Sequence, residues 1–183
     1  MRRLAVTLAC VVLLALAGCD SGDEPKSAGA ATKQELAGAP APLAALHEQS
    51  NELLDGGRDA FEERLEDLRG YPVVVNKWAS WCSPCRAEFP YFQSQARKRA
   101  RKVAFVGVNS NDPGDGAQKF LEEFPVPFPS YLDPDLDIAG LFKNVQSFPA
   151  TAFYDSRGRL EFVHFGQYPS EAELADDIDR YAR

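Results

Sequence analysis

At 183 residues, with 45% hydrophobic and 26% charged side chains, the chain is long enough to bury one core and too apolar to be disordered throughout. Its formal charge of −7 excludes an overall basic character of the kind that attracts nucleic acid or anionic lipid. These figures allow one globular domain plus an extra segment.

The extra segment lies at the N-terminus. Arg2 and Arg3 precede an uncharged apolar run, residues 4–17, which is the layout of an export signal and too short to span a bilayer comfortably. Two endings suit it. Ala15-Leu16-Ala17 fits the small-x-small cleavage site of a secreted protein, whereas Leu16-Ala17-Gly18-Cys19 resembles the bacterial lipobox, in which Cys19 becomes a lipidated N-terminus. Cysteine arithmetic favours the lipobox. Cys10 leaves with a signal peptide of residues 1–18, Cys82 and Cys85 form a natural pair, and an unlipidated Cys19 would be a stray thiol in an oxidising compartment. Losing Arg2 and Arg3 lowers the formal charge from −7 to −9, so attachment to a membrane would rest on the acyl chains. Residues 19–42, rich in Ala, Gly, Ser, Pro and charge, read as a flexible tether leading to a globular domain of residues 43–183.

Within that domain, apolar residues at three and four spacing (Leu43, Leu46; Phe61, Leu65, Leu68) predict two short helices over 43–54 and 58–68, broken at Gly56-Gly57. Residues 71–79, with the run Pro-Val-Val-Val, predict a strand buried on both faces. Ser83-Pro84 opens a helix to about residue 100. A strand over 103–108, a helix over 117–124, a proline-rich segment to Tyr131 and a helix over 136–142 follow. Strands over 150–154 and 160–165 joined at Ser-Arg-Gly form a hairpin, and a last helix over 171–181 carries Ser170 as its cap with Glu173 three residues on. Helices and strands interleave, so the class is α/β.

The stretch Trp78 to Pro90, WASWCSPCRAEFP, carries the chemistry. Two cysteines two residues apart hold metal, staple a loop or carry electrons. A zinc site needs a second ligand pair, and the mature chain offers only His47 and His164, distant and not paired with each other. A staple across a two-residue gap constrains little of the unfolded chain. Redox chemistry has a positive argument: after a buried strand and at a first helical turn, Cys82 sits among free backbone N–H groups at the positive end of the helix dipole, which favours the thiolate, and Cys85 one turn inward closes on it.

The segment VVVNKWASWCSPCRAEFP resembles the active-site segment of thioredoxin-fold proteins, and most of all the exported, membrane-tethered TlpA/ResA-like thiol-disulfide oxidoreductases; VQSFPATAFYDSRGRL is similar to that family's segment around a cis-proline. The likeness covers about residues 71–183 and implies a thioredoxin fold, a central mixed sheet flanked by helices. It implies Cys82 as nucleophile and Cys85 as resolving thiol. Trp81 and Pro84 would border the pair, with Pro149 as the cis-proline facing it and the backbone of Phe148 free to pair with an extended substrate. Where cytosolic thioredoxins carry a buried Asp, this chain has Asn76, which cannot titrate. Glu88, three residues after the second cysteine, matches the proton-shuttling Glu of ResA-like proteins; the alternative is a solvated helix carboxylate.

Two departures stand out. Lys77 replaces the family's usual aromatic, with three accounts open to it: snorkelling to solvent, which is preferred, pairing with an acid such as Glu88, or holding Cys82 as thiolate. A helical extension takes the place of the family's N-terminal hairpin. His164 reads as a half-buried edge residue, and the cluster Arg97, Lys98, Arg99, Arg101 and Lys102 as a solvated helix end suited to the dipole, with phospholipid contact the lesser reading. No cofactor and no nucleic acid are expected. The expected partners are protein thiols and disulfides, with an apocytochrome c or another exported disulfide as client, and a transmembrane thiol reductant for recharging. The lack of a His between the cysteines favours a reductant over an oxidant. The rivals are a thiol-dependent peroxidase and a non-catalytic metal-binding module.

Overall fold

The computed structural model describes residues 37–183; the signal peptide, Cys19 and most of the tether lie outside the described residues. The chain runs α1 (Ala41–Glu48), β1 (Leu53–Leu54), α2 (Gly57–Asp67), β2 (Val73–Trp78), α3 (Ser83–Lys98), β3 (Ala104–Ser110), α4 (Gly116–Glu123), β4 (Ser130–Asp133), a 3-10 turn (Ala139–Phe142), β5 (Ala150–Tyr154), β6 (Leu160–Phe165) and α5 (Glu171–Tyr181). Six strands form one sheet in the order β1-β4-β3-β2-β5-β6. β1, β4, β3 and β2 run parallel with one another, β5 joins β2 antiparallel and β6 joins β5 antiparallel.

The central strands are buried along their whole length, as the unbroken apolar run Val73-Val74-Val75 requires of a strand covered on both faces. Alternation along β2 divides the core. Val74 and Trp78 pack with Phe89 and Phe92 of α3, Phe120 of α4 and Leu174 and Ile178 of α5. Val73 and Val75 pack on the other face with Leu43 and Leu46 of α1, Phe61 of α2, and Ile138 and Phe142 at the 3-10 turn. The helical N-terminal extension therefore supplies much of one core layer.

The structure corrects three expectations. Leu53 and Leu54, read as the end of a helix, form β1, which pairs with Ser130 and Tyr131 of a strand in the segment read only as proline-rich. Both strands are short and owe their existence to the register of the sheet. The helix expected over 136–142 shrinks to the 3-10 turn, because Leu136 and Lys143 on either side take left-handed backbone, φ 66° each. The closing hairpin and helix match residue for residue, and Ser170 caps α5 by accepting the Glu173 N–H.

Candidate active site

The chain leaves β2 at Trp78, crosses three residues and enters α3 with Cys82 as its N-cap. The Cys82 sulfur accepts the N–H of Cys85 at 3.1 Å, so it occupies the place where a helix start offers unpaired donors. Cys82 and Cys85 are joined in a disulfide with Cα atoms 5.3 Å apart. Cys85 is fully buried and Cys82 is 3% exposed, beneath the exposed Trp81, Ser83 and Pro84. Of the two sulfurs, Cys82 is the one at the surface and at the dipole's positive end.

The Phe148-Pro149 peptide is cis and brings the segment before β5 against this helix start. The Phe148 ring lies 4.9 Å from that of Trp81, and Trp81, 54% exposed, is fixed by donating its indole N–H to the Asn111 carbonyl at 2.9 Å. The sequence-predicted residues Trp81, Cys82, Pro84, Cys85, Phe148 and Pro149 thus gather at one end of the sheet.

Glu88, one turn beyond Cys85, is not a solvated carboxylate: it is 0% exposed. One of its oxygens accepts the Asn76 side-chain amide at 3.0 Å and the other the Tyr168 backbone N–H at 3.0 Å. Burial raises its pKa to about 7 against the opposing pull of the Tyr168 and Asn76 hydrogen bonds. Asn76 therefore holds the titrating group without itself titrating, and its own carbonyl oxygen is buried without a hydrogen-bond partner, as is the hydroxyl of Thr151, its register partner across β2 and β5. A carboxyl tuned to neutral pH on the face of α3 shared with Cys85 can take or give a proton as the thiol reacts.

Lys77 departs from its expected place. It neither snorkels to solvent nor pairs with Glu88: it is 0% exposed, its ammonium donates to the Val145 carbonyl at 2.8 Å, and it lies 4.0 Å from the centre of the Phe148 ring. Burial lowers its pKa to about 8, with the Asp133 carboxylate acting the other way. His164 is half-buried on the edge strand β6, stacked on Tyr168 at 4.0 Å and 3.8 Å from Asp177. His47 has other neighbours, its ring nitrogens facing the carbonyls of Pro127 and Ala100.

One positioning residue escaped the sequence. Asp112, in the loop after β3, accepts the backbone N–H of Ser80, its hydroxyl at 2.6 Å and the side-chain amide of Asn109 at 2.8 Å, so a single carboxylate fastens the loop that carries the cysteines. Gly116 makes this approach possible, since a Cβ there would fall 2.4 Å from the Ser80 oxygen. No motif links partners 32 residues apart. Replacing Asp112 with Ala leaves these donors short of an acceptor, and a loss of about 1–3 kcal/mol is expected in thermal or denaturant unfolding. A change within about 0.5 kcal/mol would place the loop's support elsewhere.

A cleft of about 950 Å³ lies at the other end of α3 among Arg97, Lys98, Arg101 and Lys102, away from the cysteines. Its cations are partly engaged, Lys98 with Glu171 at 2.7 Å and Arg99 with Asp179 at 2.7 Å, in keeping with a solvated helix end.

A mixed sheet ending in a helix capped by one cysteine of a Cys-x-x-Cys pair, faced by a cis-proline, defines a thioredoxin-fold thiol-disulfide oxidoreductase. Similarity to known proteins agrees. The chain is 31% identical over 121 residues to the thiol-disulfide oxidoreductase ResA of Geobacillus kaustophilus (66% of this chain, 66% of that protein). It is 30% identical over 149 residues to the thiol:disulfide interchange protein DsbE of Pasteurella multocida (79% and 72%). The crystal structure of a secreted Mycobacterium tuberculosis disulfide oxidoreductase homologous to E. coli DsbE superposes with a TM-score of 0.56 at 27% identity, covering 63% of this chain and 85% of that one. The chain belongs to the AhpC/TSA family, whose model matches residues 38–163.

Proposed function

We propose that this protein is an extracytoplasmic, membrane-tethered reductant of protein disulfides. An extended client segment pairs with the backbone at Phe148, next to cis-Pro149, and lays its disulfide against Cys82. The Cys82 thiolate attacks one client sulfur, forming a mixed disulfide and releasing the other as a thiolate. Cys85, losing its proton to Glu88, then attacks the Cys82 sulfur, and the client's second sulfur leaves as a thiolate that takes this proton from Glu88. The Cys82–Cys85 disulfide remains, two electrons and the Cys85 proton have passed to the client, and the first client thiolate is protonated from solvent. A transmembrane thiol reductant returns the two electrons. No cofactor takes part.

The single observation that carries this reading is Cys82 at the N-cap of α3 with its sulfur held by the Cys85 N–H, beside cis-Pro149. The export signal and Cys19 support placement outside the cytoplasm on a lipid anchor, and the secreted character of the M. tuberculosis relative is consistent with it. Among the described residues no helix is long and apolar enough to cross a membrane. Similarity to a thiol-disulfide oxidoreductase and a thiol:disulfide interchange protein supports disulfides as substrates, and apocytochrome c is the client proposed.

The deciding measurement is the reduction potential of the Cys82–Cys85 pair. A value near the roughly −270 mV of thioredoxin supports a reductant, and one near the roughly −120 mV of strong oxidants overturns it. The AhpC/TSA match keeps one alternative in view, a thiol-dependent peroxidase. That reading requires reduced protein to consume peroxide rapidly with no protein disulfide present.

A further inference from the structure

Lys77 is a fully buried lysine with no carboxylate in ion-pair contact among the described residues. Removing an ammonium from water is costly, so a chain keeps one inside only where its charge and donors are used. Alternation along β2 puts Lys77 on the face of Val73 and Val75, and its register partner on β5 is Ala150, the residue after cis-Pro149. The Asp133 carboxylate contributes favourable charge, but its oxygens already accept the Ser110 hydroxyl and the N–H groups of Ile138 and Ala139.

What the ammonium touches is the loop before the cis-proline. It donates to Val145 O at 2.8 Å and lies 4.0 Å from the centre of the Phe148 ring, two holds three residues apart. The loop's other bonds are local up to Ser147, Lys143 N–H to Gly140 O, Gln146 N–H to the Asn144 side chain and the Ser147 hydroxyl to Pro149 O, and at its end Pro149 O also accepts the Gly166 N–H. The hold then passes outward, because Phe148 packs on Trp81 at 4.9 Å, and Trp81 is the exposed ring bordering Cys82. From buried ammonium to surface indole, the contacts form one stack.

We propose that Lys77 is the positioning residue of the client-docking surface: clamped on Val145 O and on the face of Phe148, it fixes the loop and the Phe148–Trp81 pair in the shape that receives an extended client segment. The inference rests on the reading of this surface as the place where protein disulfides dock. Lys77 acts through Phe148 and leaves the chemistry of Cys82 to the helix start. Its role is to lower the KM for polypeptide clients rather than to speed attack on a disulfide already in place.

The test compares an oxidised peptide, its disulfide set in an extended segment, with cystamine, a disulfide too small to reach the loop. Using the full-length protein, Lys77→Met is expected to raise the KM for the peptide about tenfold, the combined loss of a charge-assisted hydrogen bond and a buried cation–π contact, with kcat and the cystamine rate within about twofold of wild type. Phe148→Leu, which keeps bulk but removes the ring face, should raise the KM similarly, and the double variant should be no worse than the stronger single one. An unchanged peptide KM in Lys77→Met or in Phe148→Leu, or equal losses on peptide and cystamine, would overturn the proposal, the latter by assigning Lys77 to the Cys82 thiolate or to general stability. If Lys77→Met does not fold, Phe148→Leu alone decides by the same criterion. A wild-type protein with no preference for the peptide overturns the docking reading itself and this proposal with it, whereas a preference retained in full by Lys77→Met overturns the role of Lys77 alone.

Discussion

Cys85→Ser is expected to stop the reaction at the mixed disulfide. Mixed with an oxidised client, the variant should gain the client's mass through a bond on Cys82 that only added thiol releases, and turnover should fall by at least about thousandfold, roughly 4 kcal/mol of barrier. Cys82→Ser should lose turnover as completely but trap nothing. This asymmetry follows from position on α3: Cys82 is the N-cap, with its sulfur accepting a backbone N–H and 3% of its surface open, whereas Cys85 is sealed one turn inside. A client sulfur can approach the first and not the second, so the inner thiol reacts only with its neighbour. Mass spectrometry of unreduced mixtures reads the adduct directly. Trapping by Cys82→Ser in place of Cys85→Ser would reverse the assigned roles.

The same local logic explains what the sequence could disclose. The cysteine pair, its strand-to-helix setting and Glu88 one turn on lie within 13 residues, and their spacing alone puts them on one helix face. The closing hairpin and α5 were legible for similar reasons, since β5 and β6 carry β-branched and aromatic residues around a Ser-Arg-Gly turn, and α5 begins at a Ser cap. β1 and β4 were not, because two leucines or a Ser-Tyr pair become strands only when the register of distant β3 places them. Lys77 shows the limit most clearly. Alternation in a buried strand fixed the face on which it lies, but whether that face met solvent or the cis-proline loop depends on a segment about seventy residues on, whose path turns at left-handed Leu136 and Lys143. The Asp112 clamp is hidden for the same reason.

Glu88→Gln is expected to move stability and activity in opposite directions, and only above the acid range. A buried carboxyl with a pKa near 7, against an ordinary 4.5, keeps in the folded protein a proton that the unfolded chain has already lost between those values. Its contribution is therefore fully present below about pH 4.5 and is lost as pH rises to 7, leaving the wild-type protein about 3 kcal/mol worse off at pH 8 than a chain without this titration. Gln cannot ionise, so denaturant unfolding of the oxidised proteins should give similar stability at pH 4 and a growing advantage for the variant towards pH 8. That advantage is reduced by whatever the hydrogen bonds from Asn76 and the Tyr168 N–H lose against a neutral amide. All other groups titrate alike in both proteins and cancel in the difference. Release of client from the mixed disulfide needs a proton taken from Cys85, so the variant should resolve it about a hundredfold more slowly, and the step in its rate near pH 7 should disappear. A difference in stability that stays flat with pH would place the ionised carboxylate, not the acid, in the folded state. A rate profile unchanged by the substitution would mean that Glu88 is buried for packing alone, and the proton of Cys85 would need another acceptor among the groups that line the pair.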